Sequence, residues 1–546
     1  MRKHLSPLVF ALFACGCHST GGIPSSLLFD GLEGPHRAVL THSSEAQRLY
    51  DQGWTLYCGF NHEEAIRSFQ SALRYDPSCA MAWFGIGLSY GPNINNPTMD
   101  ENGSRLAFDA TQNALLYSQG ESGVERELIE ALAQRYAYPP PADRSSLDRA
   151  WSDALRLVFA HYPEDPDVGA LFAESLLDLS PWDQWTPDGH EKPRTREIVE
   201  TLEAVLDYAP KHVLANHAYI HALEASKHPE RALRSADLLR TLVPGAGHLV
   251  HMPAHIDMRL GHYEQAARAN ERGIEADRAY VKRVGPGGFY TIYRAHNFQF
   301  LAWAEMFEGR SAQALSAARE MVREIPIELV HAVPQFAESF LGTPFHVLVR
   351  FGRWDAILRE PEPAPELFAT RADWHYARGI ALAATGRVEE ALFEQVAFEG
   401  AAAKVPADYL HGNNSVAAVL AVAREMLAGE IDYRRGMPES AFTHLRRAVE
   451  LDDGLKYDEP WGWLMPARHP LGALLTEQGR FAEAEEVYRA DLEKHPENGW
   501  ALFGLEECLR KQGETKEAGV VRRRFERAWA RADITLRASC FCRTGR

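Results

Sequence analysis

His217-Ala218-Tyr219-Ile220-His221 is one His-x-x-x-His pair, and His251-Met252-Pro253-Ala254-His255 is a second, 34 residues later. Spacing of four residues puts both imidazoles of a pair on one helix face. Glu224 follows the first pair by three residues, and His248 precedes the second by three. An interval of 34 residues is the length of one helix–turn–helix unit in a helical solenoid. The two faces are therefore expected side by side, with six ligand-type side chains on one patch. Neighbouring helices about 10 Å apart would let both pairs reach one ion, because metal–imidazole bonds are about 2.0–2.1 Å long. Imidazole with carboxylate suits a divalent zinc, copper or iron ion. His217, His221, His251 and His255 are the expected metal ligands. An open coordination position would permit hydrolytic or oxidative chemistry. Glu224, or the i, i+4 pair Glu174 and Asp178, would then serve as base or supporting carboxylate.

Three outcomes stay open for these histidines: a metal site, a metal-free polar groove, or packing alone. Pro253 could kink the second helix and splay its pair. Other chemistry is missing from the sequence: no His-Glu-x-x-His, no Gly-x-Ser-x-Gly, no phosphate loop and no dinucleotide fingerprint. Trp182, Trp185, Trp461 and Trp463 could stack on a ligand or cap helical hairpins. Seven cysteines are few for so long an exported chain. Cys58 and Cys79 could pair across one repeat; Cys540-Phe541-Cys542 reads as a disulfide partner or a frayed tail.

The elements that must position these residues repeat along most of the chain. From Ala46, small and aromatic residues fall at fixed places: Gly53, Ala65, Phe69 and Ala72, with Pro77 ending the unit. Trp83 and Gly87 open the next first helix in register. The pattern returns in Ala232 with Pro244, Gly261 with Ala266, Gly309 with Ala314, Gly379 with Gly386 and Ala391, Gly436 with Ala441 and Ala448, and Gly479 with Ala484 and Pro496. Strand signals are almost absent. Loops rich in Pro, Trp and Asp interrupt the period at 91–97, 181–187, 285–288 and 457–463, and such loops are where a solenoid can build a site.

This is the tetratricopeptide pattern, and the chain resembles a tetratricopeptide-repeat (TPR) protein over roughly residues 46–535. It is similar in particular to a group of bacterial exported TPR lipoproteins. The segments carrying that likeness are Gly59-Phe60-Asn61-His62-Glu63-Glu64-Ala65, Gly91-Pro92-Asn93-Ile94-Asn95, Pro181-Trp182-Asp183, His251-Met252-Pro253-Ala254-His255 and Asn498-Gly499-Trp500-Ala501-Leu502. The resemblance implies an all-α superhelical solenoid of helix–turn–helix repeats with ordered loop insertions, and it implies no activity. In such folds the first helix of each unit lines the concave groove through its second, fifth, ninth and twelfth positions. By that register His217, His221 and Glu224 take the fifth, ninth and twelfth places of one unit. His248, His251 and His255 take the second, fifth and ninth of the next, and His296 the second of a later one. These seven residues form the expected ligand-binding set.

The ends and the charge frame the rest. Residues 1–17 read as a lipoprotein-type signal peptide, with lipid expected on Cys15 or Cys17. Residues 18–45 read as a flexible tether, 46–210 as N-terminal repeats with insertions, 211–330 as central His-rich repeats, 331–535 as C-terminal repeats, and 536–546 as a tail. An exported envelope protein is expected, on the periplasmic or outer face, touching membrane only through its lipid anchor. The net charge of −17 becomes −19 without Arg2 and Lys3, which argues against a nucleic-acid partner, since phosphate binding needs clustered cations. The leading expectation is a protein that binds a peptide, protein partner or small molecule in its concave groove, with a metal at the histidines. The alternative is a metal-dependent hydrolase or oxidoreductase using the same residues.

Overall fold

The structure, a computed structural model, describes residues 28–34 and 36–543. The expected signal peptide and Cys15 or Cys17 lie outside the described residues. Helical hairpins follow one another along most of the described residues, beginning with Ser44–Cys58 and His62–Tyr75 and ending with Gly499–Gln512 and Thr515–Ala528. Local signals start these helices. The Ser43 side chain accepts from the Ala46 amide, and that of Asn61 from the Glu64 amide. Between hairpins, an aromatic ring on a second helix fills the space that glycines leave on the first helices around it. A Cβ at Gly53 or Gly85 would stand 2.6 Å from the Phe69 ring. The C-terminal copy is the same: a Cβ at Gly472 would meet Tyr488 at 2.6 Å, and one at Gly504 at 2.2 Å. Gly87, the glycine aligned with Gly53, faces Thr111 instead. The paired strands Leu410–His411 and Asn414–Ser415 are the only regular sheet among the described residues. No described helix is long and apolar enough to cross a membrane.

The chain's two end hairpins pack against its middle repeats. The first hairpin packs into the arc formed by the helices Pro166–Asp178, Val213–Leu223 and Gly247–His251. Trp54 donates to Asp167 at 3.0 Å and Tyr57 to Glu174 at 2.6 Å, while Gly59 lies against Leu249. At the other end Trp500 donates to the Met306 carbonyl at 2.9 Å and Tyr263 to that of Pro496 at 2.7 Å. The physical reason is burial: Trp54, Tyr57, Phe60 and Trp500 are large apolar groups that bury fully only against the arc. Two segments read as loose are packed for the same reason. From Leu28 the expected tether lies along the first hairpin, with Leu32 and Val39 buried and Arg37 paired to Asp165 and Asp167. The expected tail buries Leu536, Ala538 and Ser539. Cys58 and Cys79 are buried free thiols, and Cys540 pairs with Cys542.

Candidate metal centre

Helix Val213–Leu223 presents His217 and His221, with Glu224 at its C-cap. Its histidine face meets the next first helix, which is broken into Gly247–His251 and Pro253–Leu260 at Met252. The break does not splay the second pair: the Nε2 atoms of His251 and His255 stand 2.9 Å apart, and those of His217 and His221 3.1 Å apart. Helix Tyr290–Phe307 adds His296. All of these except the half-buried His296 are at most 2% exposed.

Each of the four paired histidines is held through its other ring nitrogen. His217 Nδ1 lies 2.7 Å from the Cys58 carbonyl oxygen, and His251 Nδ1 2.8 Å from Asn270 Oδ1. His221 and His255 Nδ1 lie 2.7 and 2.5 Å from the two oxygens of Glu224. A carbonyl can only accept, so His217 carries its proton on Nδ1. The Asn270 amide is oriented by its Nδ2 donating to the Ala266 carbonyl, which sets the same tautomer at His251. At His217 and His251 the Nε2 atom is thereby left as a lone pair, facing the Nε2 of its partner in the pair. This is the arrangement in which metal-ligating histidines are held by carboxylates and carbonyls behind them. Two imidazole nitrogens on one tetrahedral ion stand about 3.3 Å apart, from Zn–N bonds of about 2.0–2.1 Å; both pairs are already near that bite.

The seven expected residues all come together, but not as one four-histidine set. The ligand atoms of His217, His221 and His248 lie within 4.8 Å of one another, and those of His251, His255 and His296 form a second such group. Glu224, His255 and Glu459 make a third. Glu174 and Asp178 lie apart, held by Tyr57 and Arg135 in a separate buried network. Burial drives every histidine here toward its neutral form. His221 is pushed down to about 3 by burial alone, and His296 to about 4 by burial and then the neighbouring His221. Burial first, then nearby Asp458, pushes Glu224 well above the usual carboxylate range.

Sequence reasoning pointed to Trp182 and the 457–463 loop but missed Phe60, and all three close the cluster. Phe60 sits 4.4 Å from the His217 ring, and Trp182 meets His221 edge-on at 5.2 Å. Both have positive φ, 56° and 59°, a conformation that costs a non-glycine residue roughly 1 kcal/mol or more. Glu459 reaches in from the 457–463 loop, its Oε2 3.5 Å from His255 Nδ1. The acid and aromatics of that loop were a signal; for Asn270 and the Cys58 carbonyl none existed.

A family model described as tetratricopeptide repeat matches residues 50–90 and 471–533, the two stretches with the glycine–aromatic packing. No curated protein matches the chain. Among solved structures, human IFIT1 bound to m7Gppp-AAAA is similar at 12% identity and a TM-score of 0.34, over 91% of this chain and 92% of that one. Cut9–Hcn1 of the APC/C follows at 13% identity and 0.31, over 91% and 79%, and yeast Tom70 at 12% and 0.30, over 88% and 90%. Likeness at this level carries nothing about ligands. The expected exclusion of nucleic acid is not tested by these structures. The chain carries tetratricopeptide repeats at both ends of a mostly helical run, repeats of a kind that binds proteins or other ligands.

Proposed function

We propose that the buried histidine cluster is a centre for a divalent zinc, copper or iron ion, and that the repeats close around it. The observation that carries this is the pair of Nε2–Nε2 contacts, 3.1 and 2.9 Å, between imidazoles whose Nδ1 atoms are committed behind them. With Glu224 ionised, as a bound cation would favour, His221 and His255 would also carry their protons on Nδ1, and each pair would then turn two lone pairs toward one ion. Packing alone would not need Glu224 to orient His221 and His255 together. A peptide groove at these positions is disfavoured, because Phe60, Trp182 and the 457–463 loop cover them.

A metal-dependent hydrolase or oxidoreductase is the second reading. In its favour, the Oε2 of Glu459 is buried beside His255 with no hydrogen-bond partner, the position of a carboxylate that could move a proton at a metal-bound ligand. Carriage to the cell envelope with lipid on Cys15 or Cys17 belongs to the same proposal and would appear as an acylated N-terminal peptide by mass spectrometry. The test of the centre is elemental analysis of protein purified without a histidine tag, beside a His217→Ala/His251→Ala variant. Metal in stoichiometric amount, lost in the variant, is the expected result. Absence of metal after incubation with zinc, copper and iron would refute it.

A further inference from the structure

We propose that the cluster is two metal sites built by the same device in successive repeats, each holding its ion through three histidines. This rests on the metal centre proposed above. In the first site His217 and His221 come from one first helix and His248 from the beginning of the next. In the second, His251 and His255 come from that next helix and His296 from the one after. Each trio keeps its ligand atoms within 4.8 Å, and the two pairs are one repeat apart.

The supports are duplicated too. In each site one histidine leans on an uncharged oxygen: the Cys58 carbonyl for His217, Asn270 Oδ1 for His251. In each, the other leans on Glu224, whose oxygens reach His221 and His255 separately. One carboxylate thus straddles both sites. His248 supplies an independent pointer. Its ring is 1% exposed, and neither nitrogen has a hydrogen-bond partner, so it is an unsatisfied buried ligand facing the first pair, its ring 5.0 Å from that of His217. The sites are neighbours: the rings of His221 and His255 are 5.9 Å apart, and those of His248 and His251 5.6 Å.

Three imidazoles leave the fourth position of a tetrahedral ion open. Six neutral imidazoles bring no charge, and two divalent ions bring four positive charges, more than the nearby buried carboxylates Glu224, Glu459 and Asp458 balance. The remaining charge calls for an anion at the open positions, hydroxide or a small oxyanion, because uncompensated charge is costly away from water. All-nitrogen sites of this kind favour zinc, or cobalt as its spectroscopic substitute, over magnesium or calcium.

The test is zinc content after loading and dialysis of the full chain, measured for the wild type and for His248→Ala and His296→Ala. His248→Gln and His296→Gln serve if the alanine variants fail to fold by circular dichroism. Two zinc ions per chain in the wild type and one in each single variant are expected. Cobalt loading should give two visible-absorption components, one lost in each variant. A single ion in the wild type, lost whole in both variants, would overturn the pair and leave a shared metal centre standing. No ion in the wild type would overturn the metal centre itself.

Discussion

Replacing Asp167 by asparagine should loosen the first hairpin from the arc that it fills. The carboxylate collects three donors: Trp54 Nε1 at 3.0 Å, His212 Nε2 at 2.9 Å and Arg37 Nη1 at 2.7 Å. His212 Nδ1 accepts from the Ala215 amide, so its Nε2 bears the proton. Burial alone would raise the Asp167 pKa; the hydrogen bond from His212 and the charge and hydrogen bond of Arg37 outweigh it and hold the group at about 2 against an ordinary 3.8. A gap of that size is worth about 2 kcal/mol. Its sign follows from the depressed folded value: the stabilisation is complete above the unfolded pKa and is lost as pH falls from about 4 to about 2. In the Asp167→Asn variant the new side-chain amide would point an N–H at one of these donors and leave Arg37 with Asp165 alone, which costs about 3 kcal/mol for a broken buried pair. Cys58 reports the outcome, since its thiol is free, 0% exposed and at the end of the docked helix. Labelling with a disulfide reagent active in acid, mapped by mass spectrometry, should run about 100-fold faster in Asp167→Asn at pH 7, at about 1.4 kcal/mol per tenfold. The ratio to wild type should shrink to a few-fold by pH 2, where wild-type Asp167 is itself about half protonated. Equal rates at pH 7, or a ratio independent of pH, would refute the assignment of Asp167 as the latch.

Two further outcomes follow from particular contacts. Gly504→Ala places a Cβ 2.2 Å from a Tyr488 ring already pinned between Gly472 and a hydrogen bond to Ser539; a loss of about 1–3 kcal/mol is expected, read as weakened hydrogen-exchange protection across 468–528, and unchanged protection would contradict the packing. Asn270→Ala removes the acceptor that orients His251 and should weaken metal binding about 10–100-fold in chelator competition, with helical content retained; unaltered affinity would remove Asn270 from the centre.

Much of the fold was legible because TPR signals are local. Gly53 and Phe69 lie 16 residues apart and meet as expected, since hairpin packing needs only neighbouring helices. The convergence of His217, His221, His251 and His255 was legible for the same reason: a repeat offset turns sequence distance into lateral distance. The closure was not legible. Phe60 over His217 and the Cys58 carbonyl behind it join residues about 160 positions apart, and no periodicity encodes such a contact. The division into trios was hidden too. It depends on where the first helices end against each other, which decides whether His248 faces the earlier pair or the later one. Gly85, rather than Gly87, backs Phe69 because the glycine nearest a ring is set by helix rotation, not by repeat numbering.

The reach of Glu459 to His255 changes what this chain can tolerate in evolution. An ordinary solenoid grows or shrinks by whole units, because each repeat answers only to its neighbours. Here the cluster draws a carbonyl from residue 58, imidazoles from the middle and a carboxylate from residue 459. A hairpin gained or lost anywhere between would carry one of these parts out of range. Insertions within loops should therefore be tolerated better than added or deleted units. The chain has the parts list of a modular array and the inheritance of a single indivisible domain.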